Sequence, residues 1–141
     1  MNRNATAIWK GNFLDGRGTL STESGVLVEA QYSHGTSFVD GIGTNPDELI
    51  AASLSGCFAM ALSRELGVCG LHPERIEAIT TTTLEELAAG WTVTHMQLDV
   101  HASVPNVSRE HFMIAAIAAK TNCPIARLLK TTISMTATLD L

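Results

Sequence analysis

The clearest pattern in the chain is a strict alternation of apolar and polar residues at its end. In residues 132–141 every second position is apolar, and the positions between are threonine, serine or aspartate. A period of two residues is that of a strand with one face toward a core and one toward water. This segment therefore predicts a β-strand, and 91–104, which alternates from residue 95, predicts another. Shorter segments predict strands at 5–9, 19–22, 26–31 and 76–84.

A long helix is predicted to begin at Asn45. Asn45 suits the N-cap, Pro46 the first helical position, and Glu48 completes a capping box. The apolar residues that follow form one stripe at helical spacing: Ile50, Leu54, Cys57, Phe58, Ala61 and Leu62. Gly67 and Gly70 can end the helix. About 20 residues give a length of about 30 Å, so we expect a buried central helix that crosses the domain.

Two shorter helices complete the predicted elements. Ser108 caps one that runs to about residue 121 and turns four residues inward: Phe112, Ala115, Ala116 and Ala119. The other spans 124–129. The order of elements is strands, a long helix, strands, helices and a final strand. This order predicts one α+β domain over residues 1–141, with helices on one face of mostly antiparallel sheets.

Composition narrows the classes of function. Only 16% of the 141 residues are charged, below the usual ~25%, which suggests an oligomer that covers part of its surface. A net charge of −5, with no basic run, argues against nucleic acid and anionic membranes as partners. The uncharged segment 49–63 is shorter than the ~20 residues that span a bilayer. No apolar stretch follows the N-terminus, and the cysteines number three, which together predict a reducing, cytoplasmic location.

Two cysteines lie where a thiol can do chemistry. Cys57 is on the stripe of the long helix beside Gly56, and a glycine that costs a helix up to about 1 kcal/mol suggests a close approach. Cys123 precedes Pro124 and so occupies a predicted N-cap, where amides and the helix dipole lower the pKa of a thiol. A fall from about 8.5 to about 6 would raise the thiolate fraction at pH 7 from about 3% to roughly 90%. Alternatively, Cys57 is a small buried hydrophobe and Cys123 an incidental loop cysteine.

The remaining candidates carry weaker signals. Cys69 and His72 have a metal-like spacing, but no second pair completes a site, so no metal is predicted. Without a C-x-x-C or a glycine-rich phosphate loop, no cofactor is predicted either. Glu48 precedes Cys57 by two and a half helical turns, which puts the two on opposite faces of one helix. They can share a pocket only if a second subunit or a returning loop brings them together.

Several separated motifs point to one family. The segment 43–52, GTNPDELIAA, is followed by Ser55-Gly56-Cys57-Phe58, and Cys123-Pro124 stands far downstream. These motifs resemble the signature of the OsmC/Ohr family, and the upstream segment 21–27, STESGVL, resembles its OsmC branch of osmotically inducible proteins. The resemblance runs the length of the chain.

The resemblance implies a fold and an activity. Members are small α+β proteins that form intertwined homodimers with two active sites at the interface, and they reduce organic hydroperoxides in oxidative and osmotic stress. Cys57 matches the peroxidatic cysteine and Cys123 the resolving one. Glu48 matches a glutamate that orients an arginine beside the reactive thiolate. An external dithiol, usually of the lipoyl type, restores the thiols.

One position departs from the family pattern. The OsmC branch commonly has an arginine just before a phenylalanine, and here Ser37 precedes Phe38. Arg17, Arg127 and His34 are the candidates to replace that cation.

The sequence therefore predicts a thiol peroxidase. The Cys57 thiolate attacks a hydroperoxide, and the resulting sulfenic acid condenses with Cys123. One alternative is a non-catalytic protein that holds a small hydrophobic ligand in a dimer-interface pocket. A second is a redox-sensing interaction protein, for which the sequence offers no basic face.

Overall fold

The computed structural model describes residues 1–140, and these divide into two compact units, 1–49 and 50 onwards. The first unit contains strands β1 (Ala5–Lys10), β2 (Arg17–Thr22) and β3 (Ala30–Tyr32) and the short helix α1 (His34–Phe38). The long helix α2 (Pro46–Val68) leads into the second unit. There follow β4 (Arg75–Leu87), β5 (Gly90–Ser103), α3 (Arg109–Asn122), α4 (Pro124–Leu128) and β6 (Thr132–Asp140). The α+β class is confirmed, and a single domain over 1–141 stays a prediction.

The first unit is a three-stranded antiparallel sheet in the order β1-β2-β3. The strand expected at 26–31 is wrong for most of its length, since β3 begins only at Ala30. The reason is local: the Thr22 amide donates to the Leu27 carbonyl at 2.9 Å, and Glu29 has a φ of 50°, so a turn takes up these residues. Helix α1 was not predicted. Its capping box, in which the Ser33 hydroxyl accepts from the Thr36 amide, is formed within this short segment.

Helix α2 begins as expected. The Asn45 side-chain oxygen accepts from the Glu48 amide at 2.8 Å, which satisfies one of the free amides of the first turn. The Glu48 carboxylate accepts from the Thr44 hydroxyl at 2.6 Å. The reciprocal bond of a capping box, from the Asn45 amide to Glu48, is not among the hydrogen bonds of residues 1–140.

Only one stripe of α2 is buried within the chain. It consists of Leu54, Phe58, Leu62 and Leu66. Ile50, expected on the stripe, is exposed, and Met60 and Val68 have 75% and 78% of their surface exposed, so the expectation of a buried helix holds for one face. By length and composition α2 is long and apolar enough to cross a membrane. The core helix of a soluble protein meets the same criterion.

The second unit carries the hydrophobic core. Strands β4 and β5 pair antiparallel, and β5 and β6 pair parallel, so the expectation of mostly antiparallel sheets is confirmed with one parallel pair. The inward residues of β5 are fully buried: Met96, Leu98, Val100 and Ala102. The four residues of α3 expected to turn inward all do so. The predicted last strand is confirmed to Asp140, and Leu141 lies outside the described residues.

Candidate active site

Cys57 and Cys123 lie side by side in a small apolar cluster of the second unit. Cys123 is fully buried there together with Leu54 and Met96, and Cys57 packs against this group while remaining partly exposed. Partly buried neighbours close the cluster: Val93, Ile125, Ala126, Leu129 and Ile133. All three cysteines of the chain are free thiols. The predicted meeting of these two thiols, from distant parts of the chain, is therefore found within one chain.

Local backbone geometry holds each sulfur in place. Cys57 stands three residues after Leu54, so both project from the same side of α2. Cys123 is at once the C-cap of α3 and the N-cap of α4. Its amide donates to the Ala119 carbonyl at 2.9 Å and its carbonyl accepts from the Arg127 amide at 3.0 Å. Hydrogen bonds to its backbone amide and carbonyl hold Cys123 in place, and its thiol lies in the cluster.

The environment of Cys123 raises the pKa of its thiol, against the sequence-based expectation. Burial is the largest cause, because a thiolate loses its hydration there. The hydrogen bond to the Cys57 side chain acts in the same direction, as does repulsion between two negative sulfurs. The amides of Ile125 and Ala126 lower the pKa, as the N-cap position predicted, but their effect is the smaller one. Cys123 is therefore protonated at neutral pH.

Gly56 does not mark a close approach within residues 1–140. A β-carbon built there would meet nothing within 4 Å, and the residue is exposed. The expectation drawn from this glycine is wrong for the single chain, because Gly56 lies outside the buried stripe of α2.

Glu48 and most of the candidate cations belong to the first unit, whereas the two cysteines belong to the second. The Glu48 carboxylate is exposed and bonded to Thr44. The His34 ring packs against two phenylalanines, Phe13 and Phe38, each with its centroid 4.9 Å away. Arg127, exposed on α4, is the one candidate that shares a unit with the cysteines.

Sequence reasoning missed one residue near the cysteines. Thr82 of β4 pairs in register with Met96, a member of the cysteine cluster. Among residues 1–140 its hydroxyl is the one buried side-chain N or O atom without a hydrogen-bond partner. Its neighbour on the same face, Thr80, is bonded to Ser55 at 2.8 Å. The available signal was the threonine run 80–83, of which the alternate members Thr80 and Thr82 are the partly buried ones.

Helices thus bring two free thiols into an apolar cluster beside a mixed sheet. The chain matches the OsmC-like protein family over residues 39–138, and it belongs to that family. Peroxiredoxin OsmC of Escherichia coli K12 is 37% identical over 135 residues, which are 96% of this chain and 94% of that protein. Peroxiredoxin OsmC of Shigella flexneri matches equally well.

Solved structures agree on the fold. An OsmC-like protein from Mycoplasma pneumoniae superposes with a TM-score of 0.80 at 14% identity, covering 100% of this chain and 99% of that one. OhrB of Bacillus subtilis, an organic hydroperoxide resistance protein, gives 0.68 at 19% identity, covering 97% and 98%. The predicted family is confirmed, and the predicted enzyme class, a peroxidase, is confirmed through the curated relatives. The roles of Cys57, Cys123 and Glu48 stay predictions.

Proposed function

We propose that this chain is a peroxidase that reduces organic hydroperoxides with Cys57 as the attacking thiol and Cys123 as the resolving thiol. The observation that carries the proposal is the contact of the two free thiols in one apolar cluster. Cys57 is the partly exposed member and Cys123 the buried one. A hydroperoxide from solution therefore reaches Cys57 first.

The cycle has three steps. The Cys57 thiolate attacks the distal oxygen of the hydroperoxide; the O–O bond breaks, an alcohol leaves after taking a proton, and Cys57 becomes a sulfenic acid. Cys123 then attacks the Cys57 sulfur, which forms a disulfide and releases water. An external dithiol reduces the disulfide by exchange and is itself oxidised to a disulfide.

Burial keeps Cys123 protonated while Cys57 reacts. With its pKa raised, Cys123 holds its proton through the first step, which leaves Cys57 as the attacking thiol. The same buried proton must leave before Cys123 can attack the sulfenic acid, so resolution is the step that the environment of Cys123 slows.

The cluster favours an alkyl over an inorganic hydroperoxide. Its walls are apolar, with Leu54 fully buried and Ile125 and Leu129 partly exposed around the thiols. Each methylene that moves from water into such a wall contributes about 0.8 kcal/mol. Hydrogen peroxide has no such group to bury, so it gains nothing from these walls.

We also propose that the working form is a homodimer in a reducing compartment such as the cytoplasm. Large apolar side chains of the second unit are more than half exposed in the single chain: Met60, Val68, Ile114, Ile117, Leu128 and Trp91. Covering such side chains is a common role of a second copy. A dimer would also allow Glu48 of one copy to orient a cation beside Cys57 of the other. Light scattering across a dilution series tests the dimer, and a monomer at micromolar concentration would contradict it.

The test of the peroxidase is steady-state consumption of cumene hydroperoxide with dihydrolipoamide as reductant. Cys57→Ser should abolish turnover. Cys123→Ser should allow one turnover, seen as one equivalent of alcohol per chain, and then stop. Cys69→Ser is the matched control, because Cys69 is exposed and outside the cluster, and it should keep wild-type activity. A Cys57→Ser protein as active as the wild type would falsify the proposal.

A non-catalytic binding role makes a different prediction for the thiols. Titration of free thiols before and after one equivalent of cumene hydroperoxide should show a loss of two per chain. A protein that only binds the hydroperoxide would lose none. Hydrogen peroxide, compared in the same titration, should react more slowly.

A further inference from the structure

The two cysteines of the cluster differ in how far a molecule from solution can reach them. Cys123 has no exposed surface and lies with Leu54 and Met96, which are equally enclosed. Cys57 packs against the same group and is partly exposed. The burial of Cys123 is complete within one chain, so it holds for a monomer and for a homodimer alike.

Helix α4 and the end of α3 hold the cover over Cys123 in place. The Cys123 amide is bonded to the Ala119 carbonyl at 2.9 Å, and its carbonyl is bonded to the Arg127 amide at 3.0 Å. Ile125 and Leu129 pack against the cluster, and the Leu129 amide donates to the Ile125 carbonyl at 3.2 Å. Exposing the Cys123 sulfur would therefore require a local opening that breaks these bonds and contacts.

A thiol that reduces a disulfide can attack either of its two sulfurs, and access to each sulfur limits the rate. At Cys123 protein atoms occupy every side of the residue, since none of its surface is exposed. At Cys57 a thiol can follow the route of the hydroperoxide, because that substrate must reach the same sulfur. Access therefore favours attack on Cys57.

The basicity of the two thiols favours the opposite choice. A disulfide breaks faster when the departing thiol has the lower pKa. Burial raises the pKa of Cys123, which makes Cys123 the poorer leaving group. Access decides between the two effects, because a better leaving group is of no use at a sulfur that the attacking thiol cannot touch.

We propose that the external dithiol attacks the Cys57 sulfur of the oxidised protein and displaces Cys123, an inference that rests on the proposed two-cysteine cycle. One thiol of the reductant loses its proton to solvent and forms an S–S bond with Cys57. The bond between Cys57 and Cys123 breaks, and Cys123 leaves with the electron pair and takes a proton.

The second thiol of the reductant completes the reaction. It loses its proton and attacks the reductant's own sulfur in the mixed disulfide, which closes the reductant's disulfide and releases Cys57 as a thiolate. The reductant is oxidised by two electrons and the protein disulfide is reduced by two. This order of release returns Cys123 protonated beneath its cover and Cys57 as the thiolate that attacks the next hydroperoxide.

The experiment traps the mixed disulfide with a monothiol. In a Cys69→Ser background, diamide forms the disulfide between Cys57 and Cys123 without any hydroperoxide. 2-Mercaptoethanol, which has no second thiol to complete the reduction, is then added, and acid and N-ethylmaleimide quench the reaction early. Peptide mass spectrometry should find mercaptoethanol on Cys57 and maleimide on Cys123, with the reverse labelling at least about 10-fold rarer.

The same reaction in denaturing urea is the matched control. Unfolding removes the cover from Cys123, so the two labelling patterns should then occur at similar frequency. Mercaptoethanol mainly on Cys123 in the folded protein, equal labelling there, or a preference that persists in urea would overturn the proposal. If that protein still consumes cumene hydroperoxide, the peroxidase assignment stands and this inference alone fails. If diamide forms no disulfide between Cys57 and Cys123, both fail.

Discussion

The two units of the chain differ sharply in what they bury. Every large apolar side chain that is buried among residues 1–140 belongs to the second unit. In the first unit the buried residues are Gly16, Gly18 and Thr36. The second unit therefore has the apolar burial that stabilises a fold by itself, whereas the first unit is held by strand pairing and ring contacts. A site on the second unit is therefore backed by a packed apolar core, and a site on the first unit is not.

The largest expected effect comes from a matched pair of phenylalanines, one in each unit. Phe58 is fully buried on α2 and Phe13 is mostly exposed. Phe58→Ala should lower the free energy of unfolding by about 3–5 kcal/mol, because it leaves a cavity in the core. Phe13→Ala should change it by less than about 0.5 kcal/mol. Urea denaturation of both variants measures the difference.

The same pair tests whether a second copy covers the first unit. If a second copy covers Phe13, the loss in free energy of unfolding caused by Phe13→Ala should grow as the protein concentration rises, since the stability of a dimer depends on concentration. Equal costs for the two variants at all concentrations would contradict the contrast between the units.

The elements of the second unit follow from the sequence because burial there is regular. In β5 and α3 the buried residues recur at the period of the element, so pattern alone identifies them. The first unit lacks that regularity. The turn before β3 depends on the backbone of Glu29, and α1 depends on a local capping box. Neither feature leaves a periodic apolar signal.

The candidate site was predictable in its members and not in its electrostatics. Cys57 followed from the apolar stripe of α2, and Cys123 from the proline after it. The direction of the Cys123 pKa was missed because the N-cap is visible in the sequence, whereas burial under Leu54 and Met96 arises only on folding. The threonine run 80–83 marks a strand face that could contain Thr82, but the sequence does not show which of these hydroxyls is left unpaired on folding.

The raised pKa of Cys123 predicts a steep pH dependence of the resolving step. At a pH well below the pKa of a thiol, the thiolate fraction rises 10-fold per pH unit. Disulfide formation after one equivalent of hydroperoxide should therefore accelerate by about 100-fold between pH 6 and pH 8. Rapid mixing, acid quenching and mass spectrometry follow disulfide formation in a Cys69→Ser background. A rate that levels off below pH 8 would mean that the helix amides outweigh burial.

The pKa of Cys123 also links the pH to the stability of the second unit. Below the ordinary thiol pKa of about 8.5 the thiol is protonated in both the folded and the unfolded chain. Above that pH the thiol ionises first in the unfolded chain, which stabilises the unfolded state. The free energy of unfolding therefore falls as the pH rises toward the higher pKa of the folded thiol. Cys123→Ala should remove that alkaline loss, which urea denaturation at pH 8 and pH 10 can detect.

A smaller effect is expected at the start of α2, within the first unit. The Asn45 side chain accepts from the Glu48 amide and donates to the Thr36 carbonyl, both at 2.8 Å. Asn45→Ala removes the cap and leaves the carbonyl of a buried residue unpaired, at a cost of about 1–2 kcal/mol. Asn45→Asp is the matched control, since it keeps the cap but not the donor. Amide exchange should speed up around Thr36 in both variants.

The smallest expected effect is a gain in stability at Thr82. Its buried hydroxyl has no partner among residues 1–140, and an unpaired buried hydroxyl costs about 1–3 kcal/mol in mutational comparisons. Thr82→Val replaces the hydroxyl by a methyl group of similar size and should stabilise the protein by up to about 1 kcal/mol. Thr80→Val is the matched control: its hydroxyl is bonded to Ser55, so that change should destabilise. If Thr82→Val instead slows hydroperoxide reduction without loss of stability, the hydroxyl serves the cysteine cluster, and the unpaired atom is retained for chemistry.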